Sequence, residues 1–377
     1  MQAEFITSLA QVNAREWDRL AGDDYPFLRH DFLYGLERSD CTTARSGWQP
    51  CHLLLRDGDT LRALLPMYLK GHSYGEYVFD WSWADAWRRS GLEYYPKLLS
   101  AIPFTPASGP RLCVAADWDE DQAWDLAIDS IRAFAANKQL SSWHLLFPGP
   151  AVSEHLRETG LLQRQATQFH WHNEDYRDFD DFLARFNSRK RKALRRERRR
   201  VAEQGLTLNA LDGAQLGEED WEQFHRFYQL TYARRSGHSG YLTREFFTDV
   251  AAGMGQQVMM VQAREGSEMV AAALYFRSSD TLFGRYWGCL RDYDCLHFEA
   301  CYYQGIEYCI QQGLQRFDPG AQGEHKIQRG FRPVTTFSNH WIADAQLAAA
   351  VADFTERERT HNALYQQQAA ELLPFKS

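Results

Sequence analysis

Two short stretches in the C-terminal half carry residue types that move protons near neutral pH. In HFEACYY, His297 and Glu299 stand at the start of a helical segment that continues through Tyr302. In PGAQGEHKIQRG, Glu324, His325, Lys326 and Arg329 lie among Gly320, Gly323 and Gly330. Imidazole titrates close to physiological pH and a buried carboxylate can be tuned there, so Glu299, His325, His297 and Glu324 are candidates for general acid–base work. Glu299 and His325 are the first choices for the base. Lys326 and Arg329 add cations suited to a phosphate or carboxylate, and the glycines let backbone come close to a bound group. Trp287 supplies a flat apolar wall just upstream. Each of these side chains also has a purely structural use, as a helix-end carboxylate or a hydrogen-bonded core histidine.

A second set lies in the N-terminal half. Lys70, His72, Ser73, Glu76 and Asp80 surround an aromatic stretch, YGEYVFDWSWAD, which reads as a strand, and Tyr94, Tyr95 and Lys97 open what reads as a helix. Gly71–Gly75 matches the G-x-S-x-G nucleophile elbow around Ser73. The aromatic residues that follow do not read as the helix such an elbow needs, so a serine hydrolase is a minor alternative. No H-E-x-x-H, Walker A, dinucleotide-binding or EF-hand pattern occurs, and His170 with His172 offers only two ligands. The expectation is therefore no obligatory metal and no nucleotide hydrolysis.

The elements that must position these residues come twice. CHLLLRDGDTLRALLPMYLK reads as a hairpin turning at Asp57-Gly58, and VMMVQAREGSEMVAAALYFR as one turning at Glu265-Gly266. Each is followed by an aromatic third strand, a helix and a short closing strand, SSWHLLFP or LQRFDPGA. Gly58 and Gly266 are 208 residues apart, as are Tyr94 and Tyr302, while Trp83 and Trp287 are 204 apart. The expected fold is α+β, a mixed-sheet unit used twice, with domains at 1–170 and 171–377. Amphipathic helices at EEDWEQFHRFYQLTYARRSG and TREFFTDVAAGM belong to the second, and residues from Ala345 read as a docking helix.

Charge is concentrated in one place. The 377-residue chain has a net charge of −8, yet ten of the sixteen residues from Arg185 to Arg200 are Lys or Arg. Apolar spacing through Phe179, Phe182, Phe186, Leu194 and Val201 predicts a basic helix over 179–204 with one docked stripe. Arg189, Lys190, Arg191 and Arg195 are its candidate anion contacts, and DNA is not an expected partner of so acidic a body. The seven cysteines form no C-x-x-C pair and read as reduced packing residues. No apolar run approaches the roughly 18 residues of a membrane span, and the first residues lack the order of a secretion signal. Cytoplasmic localisation is expected, with the inner face of the membrane as a peripheral location. Aromatics make up 14% of residues, enough for a large aromatic core or a flat-walled groove for an apolar substrate.

The tandem units, the basic helix and four strings together resemble the FemAB-like branch of the GNAT N-acyltransferase superfamily. The closer resemblance is to the bacterial group once labelled for peptidoglycan biosynthesis or recognition. The strings are KGHSYGEYVFDWSWADA, GLEYYPKLLSAIPFTPASGPR, GRYWGCLRDYDCLHFEACYYQGIEYCI and FDPGAQGEHKIQRGFRPVTTFSNHW, and the resemblance covers nearly the whole chain. It implies two tandem GNAT-like domains, and transfer of an acyl or aminoacyl group from an activated donor to an amine. An amine with pKa about 10.4 is neutral in only about one molecule in a thousand at pH 7, which gives a base its task. GNAT domains that bind coenzyme A commonly use a [Q/R]-x-x-G-x-[G/A] turn where this chain has CLRDYDCLHFE, which lacks the glycine pair.

The expected activity is N-acyl transfer from a thioester, acyl-CoA or an acyl carrier protein, to a primary amine of an amphiphilic or envelope-precursor acceptor. No permanently bound cofactor is expected. Lys326, Arg329, Trp287 and Tyr302 would contact substrate, and Lys70, His72, Glu76, Asp80, Tyr94, Tyr95 and Lys97 would form an acceptor wall where the halves meet. Aminoacyl-tRNA is the alternative donor, with the basic helix on its phosphates. A non-catalytic module binding RNA or an anionic membrane is the alternative outside enzymology.

Overall fold

The computed structural model describes residues 1–376. The chain folds into two compact units, Met1–Thr167 with Thr335–Leu364, and Gln168–Val334 with the residues from Tyr365 onward. The sequence-based division differs in giving 335–364 to the second domain. Those residues serve the first unit because 338–342 pair antiparallel with its strand Ser142–Leu146, while Leu347 and Val351 pack with Trp83 and Trp87. Such long-range pairing leaves no local trace in sequence.

The first unit contains β1 (Gln2–Ile6), α1 (Ala14–Ala21), α2 (His30–Arg38), β2 (Trp48–Pro50), β3 (His52–Asp57), β4 (Thr60–Leu65), β5 (Tyr68–Lys70), α3 (Trp81–Arg89), β6 (Lys97–Ser100), β7 (Cys113–Val114), α4 (Glu120–Asn137), β8 (Ser142–Leu146), α5 (Pro150–Glu158) and the start of β9 (Leu162–His172). β3 and β4 form the expected hairpin, with Gly58 at φ 56° in its turn. In the second layer β2, β5 and β6 pair antiparallel and β6 runs parallel to β8. One face of α4, with Ala123, Trp124, Ala127, Ile128 and Ile131 at helical spacing, is buried against Leu53, Leu55, Ala63 and Leu65.

Two expectations here are corrected. YGEYVFDWSWAD is not a strand: residues 71–80 are a loop and Trp81 begins α3. Its alternation arises because Ser73, Glu76 and Asp80 are buried while Tyr74 and Phe79 face solvent, the reverse of a strand with an apolar inner face. Tyr94 and Tyr95 likewise precede a strand rather than a helix, and Lys97 is the first residue of β6. The duplicated hairpin survives, but the third strand of the first unit is β6 and its helix is α4.

The second unit contains α6 (Phe179–Ala184), α7 (Ser188–Glu203), β10 (Leu206–Asp212), α8 (Glu218–Ser236), α9 (Arg244–Met254), β11 (Val258–Glu265), β12 (Glu268–Arg277), β13 (Thr281–Cys289), α10 (Leu296–Phe298), α11 (Gln304–Gln312), β14 (Arg316–Asp318), β15 (Arg332–Ile342) and α12 (Ala345–Glu371), the last two shared with the first unit. β10 to β13 are antiparallel neighbours, β13 runs parallel to β14, and β14 pairs antiparallel with β9 at His172 and Trp171. Pro-free apolar runs such as VMMVQA and VAAALYF suit central strands covered on both faces. The predicted basic helix is in fact two, because Asn187 leaves helical geometry and caps α7 by accepting from the Lys190 amide. The architecture is α+β, with mixed sheets and two compact units. No helix among the described residues is long and apolar enough to cross a membrane.

Candidate active site

The parallel pairing of β13 and β14 lasts only from Thr281 to Phe283. β13 then runs on to Cys289, leaving Gly284–Cys289 without a β14 partner. Cys295, at φ 65°, turns the chain into α10, and residues 299–303 form a π-helical turn before α11. A π turn shifts the register of the side chains around it and is frequent at functional sites. Here it sends Glu299 toward α7 and Tyr302 toward the 320–330 segment.

Tyr302 Oη lies 2.8 Å from His325 Nε2. His297 packs beside both rings, with centroids 5.5 Å from Tyr302 and 6.4 Å from His325. Gly323, at φ 102°, holds a backbone conformation that favours glycine, and a Cβ there would fall 2.7 Å from the His325 ring. Burial, Arg235 and neighbouring cations lower His297 to about 3. Burial with Arg329, Lys326 and Arg235 lowers His325 as well, and burial raises the Tyr302 phenol. At neutral pH the pair is therefore a neutral imidazole facing a protonated phenol, an arrangement able to accept and relay one proton. His325 is solvent-accessible, whereas Tyr302 is buried.

His297, which touches both rings, also lines a cavity of ≈ 250 Å³ together with Trp287, Arg234, Arg235, Arg291 and Asp292. Three guanidiniums against one carboxylate favour an anionic occupant. Arg291 also bonds Glu265 and Tyr293, but Arg235 has no ion-pair partner among the described residues. Arg234 and Arg235 are absent from the sequence-based candidates. Their signal in the sequence is a dibasic pair closing an amphipathic helix before Gly237, and it is overshadowed by the far denser charge of α7.

The other predicted site residues are largely committed to partners inside their own unit. Arg198 grips Glu299 (Nη2 to Oε1 2.8 Å, Nε to Oε2 3.0 Å) and Glu307 (2.8 and 3.0 Å), while Gln304 also donates to Glu299. Both oxygens of the buried Glu299 are thus taken up by Arg198 and Gln304, whereas His325 stays exposed. Lys326 is buried and donates to the Gly320 and Ala321 carbonyls at 2.7 and 3.3 Å, with burial lowering it to about 8. Arg329 bonds Glu197 and the His325 carbonyl and lies 3.4 Å over the Phe298 ring. These two cations brace the loop that carries His325 rather than reaching outward for a ligand. Glu324 is exposed and accepts from Tyr365 at 2.8 Å. On α7, Lys190 bonds Gln328 and Arg195 pairs with Asp180 at 2.7 Å, whereas Arg189 and Arg191 have no ion pair among the described residues.

In the first unit the predicted residues do meet, but as an internal brace. Lys97 Nζ donates to Ser73 and Glu76 at 2.9 Å and also bonds Asp80. Burial alone would neutralise Lys97, but Glu76 and Asp80 outweigh it and hold the amine protonated. Burial likewise pushes Asp80 up, and Lys97 overcomes it, leaving the carboxyl below its ordinary value. A protonated Lys97 cannot activate Ser73, and Ser73 sits in a loop rather than an elbow, so the geometry does not favour the hydrolase alternative. Tyr94 links Asp80 (2.6 Å) to His144 (3.1 Å), and His144 meets His340 at 2.6 Å. Lys70, over the Trp48 ring at 3.7 Å, lies 4.0 Å from Glu76, and burial brings both groups to about 7. Tyr95 bonds Ser73 at 2.8 Å, and His72 lies 3.0 Å from the Ser46 carbonyl.

A family model described as FemAB-like, for peptidoglycan biosynthesis or recognition, matches residues 8–377. The chain belongs to the FemAB-like family. No curated protein matches this FemAB-like chain. Among solved structures it is similar to the C-terminal domain of a putative lysylphosphatidylglycerol synthetase from Agrobacterium fabrum, with TM-score 0.57 and 11% identity over 92% of this chain and 97% of that one. It is also similar to FemX, with TM-score 0.53 and 11% identity over 93% and 100% of the two chains. L-PGS from Bacillus licheniformis gives TM-score 0.51 and 11% identity over 85% and 95%. At such identity the likeness is one of fold, and the FemAB-like chain's chemistry must be argued from its own residues.

Proposed function

We propose that this FemAB-like protein transfers an acyl group from an activated donor to a primary amine, with a thioester of CoA or an acyl carrier protein as the donor. Family membership supports acyl or aminoacyl transfer in general. The observation that carries the finer reading is the Tyr302–His325 pair, joined through the His297 ring to an arginine-walled cavity. Arg234, Arg235 and Arg291 hold the donor's phosphate, and Trp287 packs on its apolar portion. The amine nitrogen attacks the thioester carbonyl, forming the C–N bond. As the tetrahedral intermediate collapses, the C–S bond breaks. The amine's proton passes to the Tyr302–His325 pair and from there to the leaving thiolate, so charge and protons balance. The acceptor is an amine of an amphiphile or envelope precursor, a reading motivated by the aromatic content of the chain.

Aminoacyl-tRNA is the second reading, favoured by one specific feature. Arg189, Lys192, Arg196 and Arg199 recur at three- and four-residue spacing on the exposed side of α7 and suit a phosphate backbone. With that donor a C–O ester bond breaks instead. Incubating purified protein with acyl thioesters or aminoacyl-tRNA and a panel of amines separates the two: acyl transfer that survives RNase supports the thioester. Absence of transfer from either donor would count against the enzymatic reading.

A further inference from the structure

Loop 71–80 of the first unit is built inside out. Ser73, Glu76 and Asp80 point inward onto Lys97, while Tyr74, Phe79 and Trp81, the first residue of α3, are 56%, 51% and 43% exposed. Loops ordinarily put their polar groups outward, and neighbouring exposed aromatics mark interaction surfaces. The Tyr74 and Trp81 rings touch, with centroids 5.0 Å apart, and Tyr74 leans on His72 at 5.2 Å. The backbone beneath is pinned: the Tyr74 carbonyl accepts from the Trp48 indole at 3.1 Å and from Lys70 at 3.3 Å. These rings are held out by a buried ionic brace.

Cations stand on the same helix as Trp81 and on the loop next to His72. Arg88, seven residues after Trp81, shares its face of α3 two turns on. The Arg88 and Arg89 side chains are 81% and 71% exposed, and Asp85, which pairs with both, leaves the trio net positive. Arg45 is exposed in the loop against which His72 packs through Ser46, and it has no ion-pair partner among the described residues.

We propose that Tyr74, Phe79 and Trp81, with Arg45, Arg88 and Arg89, form a docking surface for an anionic lipid bilayer. The rings enter the boundary between headgroups and acyl chains, where amphipathic aromatics partition, and the guanidiniums meet lipid phosphates. Without a helix able to cross a membrane among the described residues, attachment through this surface is peripheral. This inference does not rest on the transfer reaction.

The test is cosedimentation of the full chain with vesicles of phosphatidylcholine alone or mixed with phosphatidylglycerol. The wild type is expected to pellet with the mixed vesicles and to be released by salt. Tyr74→Ser/Phe79→Ser/Trp81→Ser is expected to weaken binding about tenfold or more, and Arg45→Gln/Arg88→Gln/Arg89→Gln to abolish the preference for phosphatidylglycerol. Thermal melts verify folding, and if the triple aromatic variant melts early, Trp81→Ala alone is read instead. A wild type left in the supernatant with both vesicles, or aromatic variants that pellet as the wild type does, would overturn the proposal.

Discussion

At the scale of single residues, the most telling contrast is between His325 and Glu299, two side chains of similar promise in the sequence. His325 keeps an accessible imidazole on Tyr302, whereas Glu299 is spent on Arg198. His325→Ala is therefore expected to lower turnover by about 10²–10⁴-fold with the fold intact. A base works when neutral and its pKa is lowered here, so activity should persist to pH values below the ordinary histidine range. Arg235→Gln removes one of the lowering charges and should move the acidic limb of the pH–rate profile to higher pH. A second residue-scale expectation concerns Glu76, which burial raises from 4.5 to about 7. The folded state then holds this proton more tightly than the unfolded chain. Its contribution to stability is fully present below pH 4.5 and is lost as pH rises through about 7. Glu76→Gln, which keeps an acceptor for Lys97, should flatten urea-melt stability across that window; an unchanged slope would refute the assignment.

At the scale of elements, α7 shows how one sequence pattern serves two purposes. Its inner face carries Leu194 and Val201 into the core and Arg198 onto Glu299 and Glu307; its outer face carries Arg189, Lys192, Arg196 and Arg199. Arg198→Ala leaves a buried carboxylate short of its partner and is expected to cost about 2–3 kcal/mol in chemical denaturation, moderated because a quarter of the Arg198 side chain is exposed. Replacing the four outer cations by Gln should change stability by less than about 0.5 kcal/mol each. If α7 meets a polyanionic donor, that same variant should weaken donor binding and reduce its salt dependence. The helix, its charge and its docked stripe were legible from spacing alone. The break at Asn187 and the inward turn of Arg198 were not, because a run of Lys and Arg looks the same whether or not one of them meets carboxylates about a hundred residues away.

At the scale of the whole molecule, the division into units is not the division of the chain at its midpoint. Residues 335–364 complete the first unit, so a fragment ending at residue 170 lacks the strand that pairs with β8 and the helix segment covering Trp83 and Trp87. That fragment is expected to be protease-sensitive and without a cooperative melt. Joining residue 167 to residue 335 through a flexible linker should restore one, and a fragment 1–170 that melts cooperatively would contradict the unit assignment. The sequence by itself determined the two hairpins, the amphipathic helices and the basic segment, because periodicity, turn glycines and charge density are local quantities. Only the tertiary structure decided which ionisable groups are free to react, that loop 71–80 turns its carboxylates inward, and that Arg235 joins the candidate site. The physical reason is that a charge buried beside an opposite charge becomes a brace, while one left facing solvent stays available, and that outcome depends on partners far apart along the chain.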